Sequence, residues 1–147
     1  MKLSSDRDPN QNSYIAPHHL TEWLKSSVDE QLTTLNLISL SEFTPYEYLL
    51  YGLSRDERRN DGRLRDKWLN RYATLEDGGW WSSGLDPLNN WLPMIWGRYK
   101  PDNPRIIGSK GKPIRYESPP KVANRVTYFN VPQHIWDKVA QRYGIKR

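Results

Sequence analysis

The chain has 147 residues and no cysteine, and its 22 basic and 17 acidic side chains give a net charge of +5. This length suits one domain with one core, and the lack of cysteine excludes disulfides, thiolate catalysis and cysteine-based zinc sites. Hydrophobic residues make up 36% and the mean hydropathy is −0.89, so no stretch reaches the roughly 20 apolar residues that span a bilayer. The first residues lack the apolar segment of a secretory signal. We therefore expect a cytoplasmic protein with no membrane partner.

Basic and aromatic residues are distributed unevenly along the chain. Residues 98–147 carry twelve basic and three acidic side chains, whereas residues 1–54 carry three basic and seven acidic ones. Seven Trp and nine Tyr accompany only two Phe. Because Trp and Tyr combine a large apolar face with a polar tip, they serve in cores, at interfaces and as platforms for base stacking. Composition therefore favours a recognition protein over a redox or metal-centred enzyme, and the C-terminal charge favours a polyanionic partner.

The N-terminal part is predicted to be a tail followed by short helices. Residues 1–16 are polar and have no apolar period, so we predict a flexible tail and one domain over residues 17–147. A helix is predicted to begin at Pro17, since Leu and Trp follow at helical spacing. A second helix follows the Ser-x-x-Glu capping box at residues 27–30. This pair could form a helix-turn-helix, but its acidic character suits a phosphate-lined groove poorly.

Two more helices are predicted before the glycine-rich centre of the chain. A third begins at the capping box of Thr44, with proline at its first position. A charged turn leads into a fourth, whose apolar face comprises Leu64, Trp68, Leu69 and Tyr72. Arg63, Lys67 and Arg71 lie on another face of that helix and form a candidate basic stripe. The alternative is that these cations are paired with the acidic side chains around them.

After Gly78 the pattern changes from helical periods to turns and aromatic residues. Short strands are predicted at Met94–Tyr99 and Ile114–Tyr116, joined by a long basic loop, and at Arg125–Phe129. A final helix is predicted over Pro132–Tyr143. The predicted fold is therefore α+β, with N-terminal short helices packed on a small Trp-rich antiparallel sheet and closed by a C-terminal helix.

The basic, aromatic-interleaved stretch after Trp96 is the best candidate for a binding surface. Cations neutralise phosphates, and exposed rings stack on unpaired bases. Adjacent side chains of a strand point to opposite faces, so one of Trp80 and Trp81 should be buried, and Trp81 is the candidate for exposure. The candidate nucleic-acid-binding residues are Arg63, Lys67, Arg71, Trp81, Trp96, Arg98, Tyr99, Lys100, Arg105, Lys110, Lys112 and Arg115. The alternative is a solvated basic loop whose Trp and Tyr residues belong to the core.

Catalytic and metal signatures are weak. His18 and His19 could supply imidazoles together with His134, but no His-x-x-x-His spacing places two ligands on one face. A metal-dependent nuclease or primase fragment would need the carboxylates Glu76, Asp77 and Asp86 around one ion, and these three do not form an Asp-x-Asp string. There is no Gly-x-Ser-x-Gly motif. We therefore predict no catalytic residue, no metal site, no cofactor and no enzyme activity.

Several strings in the chain resemble one known family. They include His18-His19-Leu20-x-Glu22-Trp23, Pro45-Tyr46-Glu47-Tyr48-Leu49-Leu50-Tyr51, RNDGRLRD at residues 59–66, GGWW at residues 78–81 and Val131-Pro132-x-His134-Ile135-Trp136. Together they cover nearly all of residues 18–145 in order and resemble the N-terminal region of large cyanobacterial plasmid replication proteins. In that family the region precedes a Toprim-like domain and a helicase-type ATPase. The resemblance implies a replication-associated context in which nucleic acid is handled.

The chain departs from that family in ways that limit what the resemblance implies. It has no Glu-Gly-x-Lys-Lys string and no Gly-x-x-x-x-Gly-Lys-[Ser/Thr] loop, so neither nucleotidyl nor ATPase chemistry is carried over. Ser83 and Ser118 stand where the resemblance implies Cys and His. The favoured function is a non-enzymatic nucleic-acid-binding module associated with plasmid or mobile-element replication.

The expected partner is single-stranded or duplex DNA, with RNA as a further option, within a replication nucleoprotein complex. The alternative function is a protein-interaction module, or a small inhibitor of a replication or defence nucleoprotein complex, that docks through Trp, Tyr and Arg. Salt discriminates between the two functions, because phosphate contacts weaken steeply with ionic strength and an apolar interface barely responds.

Overall fold

The computed structural model describes residues 14–144 and confirms the α+β class. Over this range the chain forms five α-helices: α1 Pro17–Lys25, α2 Glu30–Asn36, α3 Thr44–Leu49, α4 Asp66–Arg71 and α5 Gln133–Tyr143. Seven short strands accompany them: β1 Ile38–Leu40, β2 Gly79–Ser82, β3 Leu85–Asp86, β4 Leu92–Pro93, β5 Arg98–Pro101, β6 Ile106–Ile107 and β7 Lys112–Pro113. None of the helices in residues 14–144 has the length and apolar character needed to cross a bilayer.

The predicted helices are present, but several starts differ. Thr44 was predicted to cap α3 and is instead its first residue, after Phe43, with no side-chain cap hydrogen bond. Helix α5 begins at Gln133 rather than at Pro132. Helix α1 begins at Pro17 as expected, and α4 buries Trp68. Helix α2 is capped by Asp29, whose carboxylate accepts the Leu32 N–H at 2.9 Å. Ser27 was predicted to be this cap but lies in the preceding turn with a φ of 65°. Asp29 caps the helix because its carboxylate reaches the N–H three residues on, as N-cap side chains do.

The central sheet has three antiparallel strands with β2 in the middle and β1 and β5 on either side. Trp80 of β2 lies opposite Ser39 of β1 and Lys100 of β5. Strands β3 and β4 form one separate hairpin, and β6 and β7 form another. Residues from three distant parts of the chain therefore meet at Trp80.

The later predicted strands are shifted or incomplete. Beside β5, the N–H of Tyr99 donates to the carbonyl of Glu117 at 3.0 Å and the reverse bond measures 2.7 Å. This pairing falls one residue beyond the strand predicted at Ile114–Tyr116. In the strand predicted at Arg125–Phe129, Tyr128 alone forms a bridge, to Leu85.

The sheet is covered on both faces. One face contributes Trp81 and Tyr99 to the larger apolar cluster, which also contains residues of α3 and α4. The other face contributes Trp80 to a smaller cluster with Trp23 of α1 and Leu37. Alternation along β2 sends adjacent side chains to opposite faces. Because both faces are covered, both tryptophans of the pair are buried.

The N-terminal end of the described chain is hydrogen-bonded to β1, whereas the C-terminal helix lies on the surface. The part of the predicted tail in residues 1–13 lies outside the described residues. Tyr14 and Ala16 bond to β1: the Ser39 N–H donates to the Tyr14 carbonyl at 2.9 Å and the Ala16 N–H donates to Ser39 Oγ at 2.7 Å. Helix α5 ends at Gly144, which has a φ of 63°, and this helix has no buried residue among those described.

Candidate functional site

The aromatic residues predicted to stack on bases are buried. Trp81, Trp96 and Tyr99 are 2%, 6% and 0% exposed. The prediction that these three rings form a stacking surface is therefore wrong. The reason is the two-sided sheet: Trp81 and Tyr99 project into the larger apolar cluster, and a ring without an exposed face has no room for a base.

Several predicted cations already have partners. Lys100 forms an ion pair with Glu22. Arg105 makes two hydrogen bonds to Glu117, at 2.6 and 3.1 Å, and these bonds raise the pKa of the Arg105 guanidinium. Since Glu117 is only 3% exposed, this pair belongs to the structural framework. These two cations are the least available to an external phosphate.

The predicted stripe on α4 is also partly engaged. Lys67 Nζ lies 2.9 Å from Glu57, and its hydrogen bond is the main cause of the lowered pKa of that carboxyl. Arg63 lies 3.9 Å from Asp61, and Arg71 lies over the Trp68 ring at 5.8 Å. Arg63 precedes α4, and Arg71 and the C-terminal Arg105 lie over the same Tyr72 ring, at 5.3 and 5.4 Å from its centroid. The alternative of local ion pairing describes the stripe better.

Five predicted cations are exposed and make no ion pair with the described residues: Arg71, Arg98, Lys110, Lys112 and Arg115. Lys110 and Lys112 lie at the tip of the β6–β7 hairpin. Arg98 begins β5, opposite Ser82 of β2. These side chains are the predicted cations that remain for an anionic ligand, and exposed cations outside the predicted set, such as Lys121 and Lys138, add to the positive charge.

A cleft of about 360 Å³ opens beside Arg98 at the end of the sheet. It is lined by Trp23, Trp80, Ser82, Ser83, Trp96, Arg98, Tyr116, Arg125, Thr127 and Phe129. We call it the aromatic–arginine cleft. Five of its ten lining residues are aromatic and two are arginines, so it combines stacking faces with positive charge. The exposed rings are Tyr116, at 48%, and Phe129, at 43%.

The rings of the cleft support one another. Trp80 meets Trp23 edge to face, with 5.2 Å between centroids, and meets Tyr116 at 6.0 Å. Phe129 stacks on Trp23 at 5.8 Å. Such aromatic pairs add stabilisation beyond the area they bury. The two exposed rings therefore rest on buried ones and are held in place before any ligand arrives.

Polar contacts fix the other walls of the cleft. The Trp80 indole N–H donates to Glu22 at 3.1 Å. Arg125 is held by two hydrogen bonds of 3.1 Å to the carboxylate of Asp86. The buried indole N–H of Trp96 has no acceptor within residues 14–144. An unpaired buried donor is costly, and a water or polar ligand atom reaching Trp96 would remove that cost.

Of the ten residues that line this cleft, only Trp96 and Arg98 were among the predicted binding residues. Trp23, Trp80, Arg125 and Phe129 were not among the predicted binding residues. They lie far apart in the chain and meet only through the tertiary fold, so no local spacing connects them. The usable signal was the alternation in residues 125–129, which places Arg125, Thr127 and Phe129 on one side of an extended segment.

The three carboxylates considered for a metal-dependent nuclease each have a partner of their own. Glu76 accepts the Tyr46 hydroxyl at 2.9 Å, and burial together with this bond raises the pKa of the Tyr46 phenol. Asp77 accepts the Asn103 amide at 2.8 Å, and Asp86 holds Arg125. Within the described residues these carboxylates do not form one metal-binding group.

Two of the histidines meet a carboxylate that the sequence did not indicate. His18 Nε2 lies 3.0 Å from one oxygen of Asp102, and His19 Nε2 lies 2.8 Å from the other. Burial raises the pKa of the Asp102 carboxyl, but the hydrogen bonds and charges of both histidines outweigh it, so the net pKa is lowered. His134 was grouped with these residues in the prediction, but it lies beside Gln31 at 3.1 Å.

The chain is similar to an uncharacterized protein of Picosynechococcus sp. (strain ATCC 27264 / PCC 7002 / PR-6), with 45% identity over 145 residues. The match covers 98% of this chain but only 14% of the relative, so this chain corresponds to a small part of the longer protein. No protein-family model matches the chain. No solved structure matches it either.

Proposed function

We propose that the chain is a non-enzymatic nucleic-acid-binding module of plasmid or mobile-element replication, acting in the cytoplasm, and that it holds a single strand at the aromatic–arginine cleft. The observation that carries the proposal is the position of unpaired Arg98 in a cleft whose exposed rings are Tyr116 and Phe129. A ring face accepts any unpaired base, and an arginine beside it accepts the phosphate.

The size and chemistry of the cleft support a single strand over a duplex. Bases in a duplex are stacked on each other and cannot enter a cleft, whereas an unpaired base can be splayed onto an aromatic side chain. The hydroxyls of Ser82, Ser83 and Thr127 line the same space and supply hydrogen-bonding groups for base edges or the sugar. The cations on the β6–β7 hairpin would follow the backbone away from the cleft.

The direct test is affinity for a labelled single-stranded oligonucleotide, measured by fluorescence anisotropy. Arg98→Glu should weaken binding about tenfold or more, because it removes a phosphate contact and adds repulsion. Arg63→Glu is the matched control, since it makes the same charge change in the turn before α4, at a residue that does not line the cleft. Equal losses in the two variants, or none in Arg98→Glu, would refute the proposal.

Ring stacking is tested separately from charge. Tyr116→Ala should weaken binding to the single strand by about 1–3 kcal/mol, the usual range for one stacked base. A blunt duplex of the same length should bind more weakly than the single strand. Preference for the duplex, with no effect of Tyr116→Ala, would show that binding is driven by charge alone and that the cleft is not the site.

A second candidate function, a contact with a protein partner, is supported by the β3–β4 hairpin. Leu88 is 86% exposed, Trp91 is 56% exposed and Leu92 is 52% exposed. Trp91 also has a φ of 58°, a strained conformation for a bulky residue and one that is often found at functional positions. Large exposed apolar side chains grouped at one hairpin are typical of an interface.

The β3–β4 hairpin can be tested without disturbing the cleft. Leu88→Ser should abolish capture of a protein partner if the hairpin is an interface and should leave oligonucleotide affinity unchanged. Loss of oligonucleotide binding in Leu88→Ser would show instead that the hairpin belongs to the nucleic-acid surface.

A further inference from the structure

We propose that His18, His19 and Asp102 form a binding site for a divalent transition-metal ion. One ligand atom from each of these residues lies within 4.8 Å of those of the other two. The site does not depend on nucleic-acid binding, and its test below uses metal ions alone.

The spacing of the donor atoms matches metal coordination. Ligand atoms about 2.0–2.1 Å from a metal ion lie about 2.9 Å apart at octahedral angles and about 3.4 Å apart at tetrahedral angles. The two imidazole nitrogens lie 3.0 and 2.8 Å from the oxygens of Asp102. An ion among them would replace the two imidazole–carboxylate contacts.

Buried His19 is oriented by a second contact. Its side chain is 3% exposed, and its Nδ1 lies 2.6 Å from Ser39 Oγ. Imidazoles that ligate metals usually donate their other ring N–H to an oxygen, which fixes the tautomer and the ring plane. If Nδ1 donates to Ser39, the lone pair of Nε2 faces the carboxylate. Two electron-rich atoms at 2.8 Å need a cation or a proton between them.

The backbone supports the geometry from both sides. Ser39 Oγ accepts the Ala16 N–H at 2.7 Å, so the residue that orients His19 is itself held. The Asp102 N–H donates to the Gly78 carbonyl at 2.9 Å. Gly78 has a φ of 102°, and a Cβ there would lie 3.3 Å from Asp102 Oδ2. A side chain at position 78 would therefore crowd the carboxylate.

The ligand set indicates the kind of ion. Two imidazoles and one carboxylate suit zinc and other first-row ions such as cobalt, nickel or iron, and are poor ligands for calcium or magnesium. His18 has a side chain that is 64% exposed, so the site opens toward solvent. Three protein ligands leave at least one coordination position for water or for an anionic ligand.

The test is titration of the untagged chain with zinc by calorimetry and with cobalt by visible absorption. We expect one ion per chain and a cobalt d–d spectrum of a site with mixed nitrogen and oxygen ligands. His18→Ala and Asp102→Asn should each weaken metal binding at least tenfold. His134→Ala, which removes an exposed histidine elsewhere, should leave it unchanged.

His18→Ala keeps the test decisive even if Asp102→Asn fails to fold, because the His18 side chain is largely exposed and its removal should leave the circular dichroism spectrum intact. Absence of cobalt absorption and zinc heat at about 1 mM metal, a concentration that reveals even weak sites, would overturn the proposal. Equal affinity in His18→Ala and the unchanged chain would also overturn it.

Discussion

Trp80 and Trp81 are adjacent in the chain but lie on opposite faces of the sheet, in two different apolar clusters. Trp81 packs in the larger cluster with Tyr99, and Trp80 packs with Trp23 and borders the cleft. Because adjacent side chains of a strand point to opposite faces, the Trp81 ring belongs to the core and the Trp80 ring borders the candidate site. A substitution of Trp81 should therefore affect folding alone, whereas a substitution of Trp80 should affect both folding and binding.

Gly97 shows how little space surrounds Trp81. A Cβ at this position would lie 2.6 Å from the Ser82 carbonyl and 2.7 Å from the Trp81 ring. Gly97→Ala should therefore lower the free energy of unfolding by about 1–3 kcal/mol, the usual cost of overpacking. Urea denaturation followed by circular dichroism measures it. Gly97→Ala with unchanged stability would mean that the ring can move aside.

The buried phenol of Tyr99 gives the fold a dependence on alkaline pH. Burial raises the pKa of Tyr99, and the nearby charges of Asp102 and Asp77 add to the shift. In the unfolded chain the same phenol titrates near its ordinary value of about 10. Because the pKa of Tyr99 is higher in the folded chain than in the unfolded chain, its contribution to stability is complete below pH ~10 and is lost as the pH rises above that value.

We therefore expect stability to fall by up to about 1.4 kcal/mol per pH unit above pH ~10 from this group. Urea midpoints measured between pH 8 and pH 11, about the range that brackets the ordinary value, would show the decline. Tyr99→Phe should flatten this slope, since it removes the titrating group. An identical slope in both proteins would assign the alkaline loss to other side chains.

The segment around Glu117 links the sheet to the basic hairpin. Its backbone pairs with Tyr99 at the edge of β5, and its side chain binds Arg105 just before β6. Glu117 therefore covers the edge of β5 that would otherwise be open to other chains. It also anchors the β6–β7 hairpin, which carries Lys110 and Lys112. The position of those two cations depends on a contact buried in the framework.

Glu117→Gln should destabilise the protein by about 3 kcal/mol or more, because it leaves the largely buried guanidinium of Arg105 without a counter-charge. Thermal unfolding measures the loss. Glu47→Gln, on the exposed side of α3, is the control and should change stability by less than about 0.5 kcal/mol. A similar small effect of both changes would mean that water replaces Glu117 beside Arg105.

The net charge of the molecule does not show which of its basic side chains are available to a ligand. Within the described residues, two of the C-terminal cations pair with carboxylates from other regions: Lys100 with Glu22 and Arg125 with Asp86. Near the cleft and the hairpin that follows β5, four cations make no ion pair with the described residues: Arg98, Lys110, Lys112 and Arg115. We therefore expect a limited number of phosphate contacts.

Binding to a single strand should weaken with salt at a slope of log affinity against log salt of about −2 to −3, as expected for three or four phosphate contacts. Arg98→Ala should reduce that slope by about 1, and Arg63→Ala should leave it unchanged. Anisotropy titrations at several salt concentrations provide the values. A slope near zero would favour the protein-interaction function.

The helices could be predicted because their signals are local: Pro17 and Thr44 mark helix starts, and apolar residues recur around Trp68 at helical spacing. The binding rings were predicted wrongly because the sequence does not show that both faces of β2 are covered. The cleft joins Trp23 to Phe129, and the histidine cluster joins His19 to Asp102. Such contacts depend on strand pairing between distant segments, which no spacing in one sequence reveals.

Three of the seven tryptophans, Trp23, Trp80 and Trp96, line the aromatic–arginine cleft. Their emission depends on what lies against the indole rings, so the protein carries its own optical reporter at the place where a ligand would dock. Nucleobases quench indole emission on close contact, and an apolar protein surface tends to shift it in wavelength. Titrating the unlabelled chain with a ligand and recording the intensity and the wavelength of tryptophan emission would therefore show whether the cleft is occupied. The same measurement would distinguish a nucleic acid from a protein.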